Sequence, residues 1–335
     1  MKVIEIQGSF GLDSLKVAER PDLSPKPYHV VVQVKAVSLN FRDYLMVKGQ
    51  YNPKQKLPLV PCSDGVGTVT AVGEGVTRVK VGDRVAGIFS QTWVAGEPNR
   101  AKLASTLGGP LDGMLAEQAL LHEDGVVHVP AHLSDEEAAT LPCAGVTAWS
   151  ALSQGNVKAG DTLLVEGTGG VSMFALQFGK LLGARVIATS SSDAKLEKAR
   201  ALGASDGINY KTEPQWSKKA RELTSGVGVD HVIDVGGAET LDQALRAVRM
   251  GGQISVIGQL SGNVAQVNLI PILMQNVRVQ GVLVGSRETF ESMNKAVSAH
   301  KLRPVLDKVF PFTEARAAFE YLASGAHFGK VGIRI

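Results

Sequence analysis

Hydrophobic and polar positions change their period along the chain. The first third reads as strands and turns. "YHVVVQVKAVSLN" (28–40) is a β-rich run entered from the Pro-rich "PDLSPKPY", and "GVGTVTAVGEGVTRVKVGDRVAGI" (65–88) sets short strands between glycines, as a compact barrel-like fold requires. The opening "MKVIEIQGSFGLDSL" alternates like a strand, and residues 90–113 read as a long irregular surface loop. The middle is different. "DTLLVEG", "RVIATS", "DGINY", "GVDHVIDVGG", "GGQISVIGQ" and "VRVQGVLVG" predict short apolar strands. Between them lie helical patterns in "VSMFALQFGKLLGA", in "DAKLEKARALGA", near 214–224 and near 239–249. Strands alternating with helices predict a parallel sheet with right-handed crossovers, so residues 144–285 are expected to form a doubly wound α/β domain. The tail, 286–335, returns to mixed helix and strand.

A glycine turn sits where the first strand of that domain hands over to its first helix. In "VEGTGGVS", Gly167 and Gly169 supply the G-x-G of a dinucleotide fingerprint, and Ser172 stands at the place of the third glycine. Thr168, Gly170 and Val171 complete the turn, whose backbone N–H groups at the helix start would hold a pyrophosphate. By itself such a turn is an ordinary strand-to-helix connection; at the first βα crossover it predicts a dinucleotide. The end of the second strand indicates which one. An NAD site places an acid there for the ribose hydroxyls. Here "ATSSSDAK" offers Ser190 and Ser191, with Lys195 one helical turn on, and that combination attracts the extra phosphate of NADP. The serines also suit a plain turn and helix cap. Asp193 has a competing role as the ribose acid, but it falls after the strand has ended and reads as the cap of "DAKLEKAR".

Composition narrows the class further. A length of 335 residues allows two domains, and a net charge of +3 with no basic run gives no support for nucleic-acid binding. No apolar run is long enough to span a bilayer, and the N-terminus lacks the pattern of a signal peptide. Cys62 and Cys143 are the only cysteines, so a disulfide framework is excluded and a cytoplasmic location is expected.

The segments "VSLNFRDYLMVKGQY", "PLVPCSDGVGTVTAVGEGVTRVKVGDRV", "LGGPLDGMLAEQALL", "LPCAGVTAW", "VEGTGGVSMFALQFGKLLGARVIATSSSDAKLEKARALGA" and "QGVLVGSRETFESMNKAV" together resemble the medium-chain dehydrogenase/reductase superfamily over essentially the whole chain. The resemblance implies a GroES-like catalytic domain from residues 1–143 and 286–335 around a Rossmann NADP-binding domain. It also implies a homodimer formed through the Rossmann sheets, with "VRVQGVLVG" as the edge strand. Zinc enzymes of the superfamily hold their metal through Cys, His and Cys. Here those places carry Asn40, Ser63 and Cys143, with Asp64 beside Ser63. Three ligands are not supplied, so no metal is expected; an improvised site at Cys62, Asp64 and Cys143 is the alternative. The four-cysteine structural zinc lobe is absent as well. The pattern is similar to the zinc-independent quinone oxidoreductases, with Asn40 in "SLNFRDY". In that branch the NADP phosphate meets residues matching Ser191, Lys195 and Tyr210. The nicotinamide lies near Thr147 and the backbone of Leu283, Val284 and Gly285, and Gly258 joins the cofactor set. Leu45 departs from members that carry a tyrosine there, whereas Tyr51 remains.

Without a metal, the acceptor oxygen needs preorganised donors in a dry cleft. Asn40, Tyr51 and Ser63 are the candidates in that order, with Arg42 a further donor unless it pairs with Asp43. Such donors suit an acceptor that delocalises charge. The expected activity is therefore NADPH-dependent hydride transfer to a quinone or an α,β-unsaturated carbonyl. The alternatives are a zinc-free carbonyl reductase or alcohol dehydrogenase, and a non-catalytic NADPH-binding sensor or structural protein.

Overall fold

The structure, a computed structural model, describes all residues from Met1 to Ile335. It divides into two compact units: Met1–Val146 with Gly285–Ile335, and Thr147–Val284.

The second unit is the doubly wound one. Its sheet has six parallel strands in the order Asp206–Asn209, Arg185–Ser190, Thr162–Val165, Val229–Asp234, Val248–Val256, Arg278–Gly281. Helices Gly170–Leu181, Asp193–Leu202, Trp216–Leu223 and Leu241–Ala247 make the crossovers. The chain starts at the centre, winds outward through one half, returns, and winds through the other. The switch point lies between Thr162–Val165 and Val229–Asp234, where open α/β sheets bind ligands at the carboxyl ends of the strands. Leu163, Leu164, Val165, Ile187, Val232 and Ile233 are fully buried, as strands covered on both faces must be. The edge strand is shorter than "VRVQGVLVG" suggests. Pairing stops at Gly281, and all four residues of Arg278–Gly281 are exposed.

The first unit is β-rich. Its main sheet runs Leu306–Pro311, Lys330–Arg334, His29–Leu39, Asp64–Val72, Arg84–Gly87, Val126–His128, and Gln118–His122 also pairs with His29–Leu39. Lys2–Ile6 and Leu15–Glu19 form a separate antiparallel pair. The opening strand does not alternate: Val3 to Ile6 are all buried, with Glu5 taken up by Arg20. Residues 90–113 are less superficial than their composition implies. Trp93 and Leu107 are buried, and Arg100–Leu103 forms a short helix capped by Asn99. No helix of the chain is long and apolar enough to cross a membrane.

Candidate active site

Sheet register brings together residues that lie far apart in the sequence. Strand Lys330–Arg334 pairs antiparallel with His29–Leu39, with Val331 opposite Leu39, so Lys330 falls opposite Asn40. On the other side Asp64 pairs with Ser38. Three strand ends thus deliver Asn40, Asp64 and Lys330 to one place. Gly329 permits this path, because it has φ +85° and a Cβ there would stand 2.4 Å from the Val305 carbonyl oxygen.

Lys330 organises the cluster. Its Nζ donates to Asn40 Oδ1 at 2.6 Å and to the Leu39 carbonyl at 2.7 Å, and lies 3.7 Å from Asp64 Oδ2. Lysine is donor-only, so the oxygen of the Asn40 amide must face it and the NH₂ must face away. Asn40 Nδ2 makes no hydrogen bond of ordinary geometry within the protein, although the Asp64 carboxylate lies near enough for the amide to help hold its pKa down. Asn40 is also the cap residue before helix Phe41–Val47, and its backbone N–H donates to Asp43 Oδ2 at 2.9 Å. Asp43, fully buried, further accepts from the Ser63 N–H and from Arg42 Nη1, each at 3.3 Å. Arg42 therefore does pair with Asp43. It also donates to the Leu107 and Gly109 carbonyls, and its guanidinium lies 4.9 Å from the centre of each of the Tyr51 and Phe89 rings. Both of its Nη groups are thus used inside the protein, and Nε is buried without a partner. The Tyr51 ring lies against the Arg42 guanidinium, and the residue is 42% exposed.

Ser63 corrects an expectation. It is fully buried, and its hydroxyl donates to Asp64 Oδ1 at 3.0 Å, so it cannot serve a substrate oxygen. Burial pushes the Asp64 carboxyl up to about 6, against the pull of Lys330. Burial likewise drives the Cys62 and Cys143 thiols well above their ordinary range, and the neighbouring Asp64 adds to it. A catalytic zinc requires three ligands of thiolate, imidazole or carboxylate type. No three His, Cys, Asp or Glu side chains converge here to hold one. The position is instead served by an amide, a committed hydroxyl, a single cysteine and a resident ammonium ion. These residues do not fit a zinc ion.

In the second unit the glycine turn closes the central strand. Gly167 has φ +69°, a conformation that side chains rarely adopt, and its N–H donates to Thr189 Oγ1 at 3.2 Å. Ser172, at the third glycine's place, is buried and donates back to the Glu166 carbonyl at 2.6 Å, which ties the helix to the turn. Gly169 caps helix Gly170–Leu181 with an ordinary φ of −79°, and a Cβ there would meet nothing within 4 Å. Neither conformation nor packing demands glycine at this position, so the backbone here stands open to a ligand. The first helical hydrogen bond runs from Met173 N–H to the Gly169 carbonyl, leaving the N–H groups of Gly170, Val171 and Ser172 at an open helix start. This half of the molecule fits a dinucleotide. Thr168 is buried in the turn, and Thr147 is buried in helix Val146–Gln154.

At the end of strand Arg185–Ser190 no carboxylate follows within the turn. Ser190 is buried and its Oγ accepts from the Ser192 N–H at 3.3 Å, so it shapes the turn; Ser191 lies nearer the surface. The cap of helix Asp193–Leu202 is Ser192, whose hydroxyl accepts from the Lys195 N–H, and not Asp193. Asp193 is instead held by Asn209 Nδ2 at 2.8 Å. Lys195 is half-buried on the first turn, and Tyr210 is exposed just beyond strand Asp206–Asn209. Gly258 has a packing reason to be glycine, since a Cβ there would lie 2.2 Å from the Val235 carbonyl oxygen. Leu283 is exposed, and Val284 is buried with a left-handed φ of +49°. Gly285 follows as the first residue of the closing segment of the other unit. Sequence reasoning missed Lys330. A lone lysine at the head of "KVGIR" carries no signal until the strand is paired 290 residues away.

Comparison with known proteins accords with these two units. Residues 26–131 match the alcohol dehydrogenase GroES-like domain, and residues 170–299 match the zinc-binding dehydrogenase domain. A zinc-type alcohol dehydrogenase-like protein of Schizosaccharomyces pombe is 45% identical over 334 residues, covering 97% of this chain and 96% of the relative. The quinone oxidoreductase of Pseudomonas aeruginosa is 34% identical over 315 residues, covering 93% and 88%. The crystal structure of an NAD-dependent alcohol dehydrogenase superposes with a TM-score of 0.92 at 34% identity, with both chains fully covered. With a Rossmann unit, a GroES-like unit and relatives matched along nearly their whole length, the chain belongs to the medium-chain dehydrogenase/reductase superfamily of oxidoreductases.

Proposed function

We propose that this oxidoreductase is a metal-free, NADPH-dependent reductase of quinones or α,β-unsaturated carbonyls. The observation that carries the proposal is the Asn40 amide: its oxygen is taken by Lys330, and its NH₂ makes no hydrogen bond of ordinary geometry within the protein. Bound NADPH supplies the hydride. In an enone, hydride adds to the β-carbon, the C=C pair shifts, and negative charge develops on the carbonyl oxygen; a proton then completes the saturated product. Asn40 Nδ2 donates to that oxygen as the charge appears. Such a donor contributes most when it is already oriented in a site shielded from water. A single amide gives less help than a metal ion, which favours acceptors that spread the charge over a conjugated system. Tyr51, next to Arg42, offers a second donor or a proton source.

Ser191, Lys195 and Tyr210 support NADPH over NADH, since no acid stands at the end of the second strand. The names of an alcohol dehydrogenase-like relative and an NAD-dependent structure favour a second outcome, carbonyl or alcohol turnover with NADH. Edge strand Arg278–Gly281 is exposed, and the segment preceding it in the chain carries exposed Leu269, Ile270, Leu273 and Met274, apolar residues suited to a second copy of the chain in a homodimer. Two cysteines without a disulfide suit a cytoplasmic location. The test is turnover: NADPH and NADH oxidation against matched enones, quinones and saturated ketones. Reduction of enone or quinone with NADPH supports the proposal. Turnover of saturated ketones alone, or no turnover, refutes it.

A further inference from the structure

We infer that Lys330 is a positioning residue that acts through Asn40, fixing the amide so that its NH₂ side, and not its oxygen, is presented to the acceptor oxygen. It rests on the metal-free reduction proposed above. Three observations carry it. Lys330 Nζ grips Asn40 Oδ1 at 2.6 Å and is itself anchored by the Leu39 carbonyl at 2.7 Å. The Lys330 side chain is 4% exposed, so it does not reach out to a substrate. Asn40 Nδ2 is buried and makes no well-formed hydrogen bond, with only the Asp64 carboxylate nearby, a costly arrangement unless something else uses it. An amide free to turn about its last torsion would present its oxygen to the acceptor half the time and repel the developing charge. The ammonium ion removes that option, since it can only donate. Asp64, 3.7 Å from the same Nζ, balances the buried charge. A purely structural Lys330 would only neutralise Asp64 and Asp43, whose carboxyls it draws down.

A double-mutant cycle separates the two roles. Lys330→Met, Asn40→Ala and the double variant are assayed for kcat, KM and melting temperature, using whichever acceptor the wild type reduces best. Positioning predicts a kcat loss of roughly 10-fold for Lys330→Met, a fraction of what removing an oxyanion donor outright costs, with KM for cofactor changed less than about 2-fold. In the Asn40→Ala background the same substitution should change kcat less than about 2-fold, because nothing is left to orient. Equal losses in both backgrounds would overturn the inference. Removing one partner of a buried charge pair threatens the fold, so the cycle is repeated as Lys330→Met with Asp64→Asn, which leaves no bare carboxylate. A readout independent of turnover accompanies it. In protein labelled with ¹⁵N-asparagine, the Asn40 side-chain amide, assigned by its loss in Asn40→Ala, should be rigid in the wild type and mobile in Lys330→Met. An amide equally ordered in both overturns the inference even if no acceptor is turned over. Failure of the enone and quinone panel with a mobile amide overturns only the proposed substrate class.

Discussion

Gly169→Ala separates a ligand-binding glycine from a structural one. The residue caps helix Gly170–Leu181 at φ −79°, and its Cβ would find nothing within 4 Å. In the free protein the extra methyl meets no atom. Alanine is a poorer helix cap than glycine by a few tenths to about 1 kcal/mol, while the stiffer unfolded chain returns about 0.4–1 kcal/mol. The two nearly cancel, so Tm should move by no more than about 3 °C. Binding is another matter. The methyl would occupy the space through which a pyrophosphate reaches the N–H groups of Gly170 and Val171. Loss of one charge-assisted hydrogen bond costs about 1.5–3 kcal/mol, so the Kd for NADPH should rise at least about 10-fold. Gly258→Ala is the contrast. Its Cβ would lie 2.2 Å from the Val235 carbonyl oxygen, so it should destabilise the protein by about 1–3 kcal/mol through overpacking. Scanning calorimetry and fluorescence titration with NADPH measure both quantities. An unchanged Kd with an unchanged Tm in Gly169→Ala would refute the assignment of this turn to the pyrophosphate.

Lys195→Ala should weaken NADPH by roughly 10- to 100-fold and leave NADH almost untouched, read by titration with each cofactor; equal losses would mean that Lys195 does not read the phosphate. Asn40→Ala should lower kcat by up to about 100-fold with a smaller effect on KM, whereas Tyr51→Phe lowers kcat only if the hydroxyl donates and leaves it unchanged if the ring merely packs on Arg42. His231 gives a pH prediction. It is buried with Nε2 2.8 Å from Ser255 Oγ, and burial, helped by Arg278, lowers its pKa from 6.5 to about 4. The folded value is the lower one, so the unfolded chain binds the extra proton first: this contribution is intact above pH 6.5 and fades as pH falls towards 4. The loss approaches about 3 kcal/mol. Asp64 and Glu166, both raised by burial, act in the opposite sense, so the comparison is between wild type and His231→Gln, where their effects cancel. Urea unfolding at pH 7.5 and pH 5 should show a smaller acid loss in the variant.

What the sequence reveals follows from the range of the forces involved. The second unit is legible because its strands and helices are set by local period and by turns at fixed offsets; "DTLLVEG" and "RVIATS" give the observed strands almost residue for residue. Local chemistry fails by small steps. Ser192 and Asp193 are both good caps, and only the geometry of the chain leaving Ser190 assigns the role to Ser192. The metal ligand it replaces marks Asn40, but the same ground marks Ser63, which is spent on Asp64. That commitment depends on burial, which "PCSDGVG" does not encode. Lys330 is the extreme case, since its partners are 290 and 291 residues away and are set by strand register alone.

The central claim is that hydride transfer here proceeds without a metal. Zinc content measured by mass spectrometry on freshly purified, active protein, followed by chelation and assay of NADPH-dependent reduction, tests it most directly. Only Cys62 and Cys143 are present, so no structural zinc lobe obscures the count. The structure predicts zinc far below one per chain and a rate unaffected by the chelator. Roughly one zinc per chain, with activity lost on chelation and restored by zinc, would contradict it.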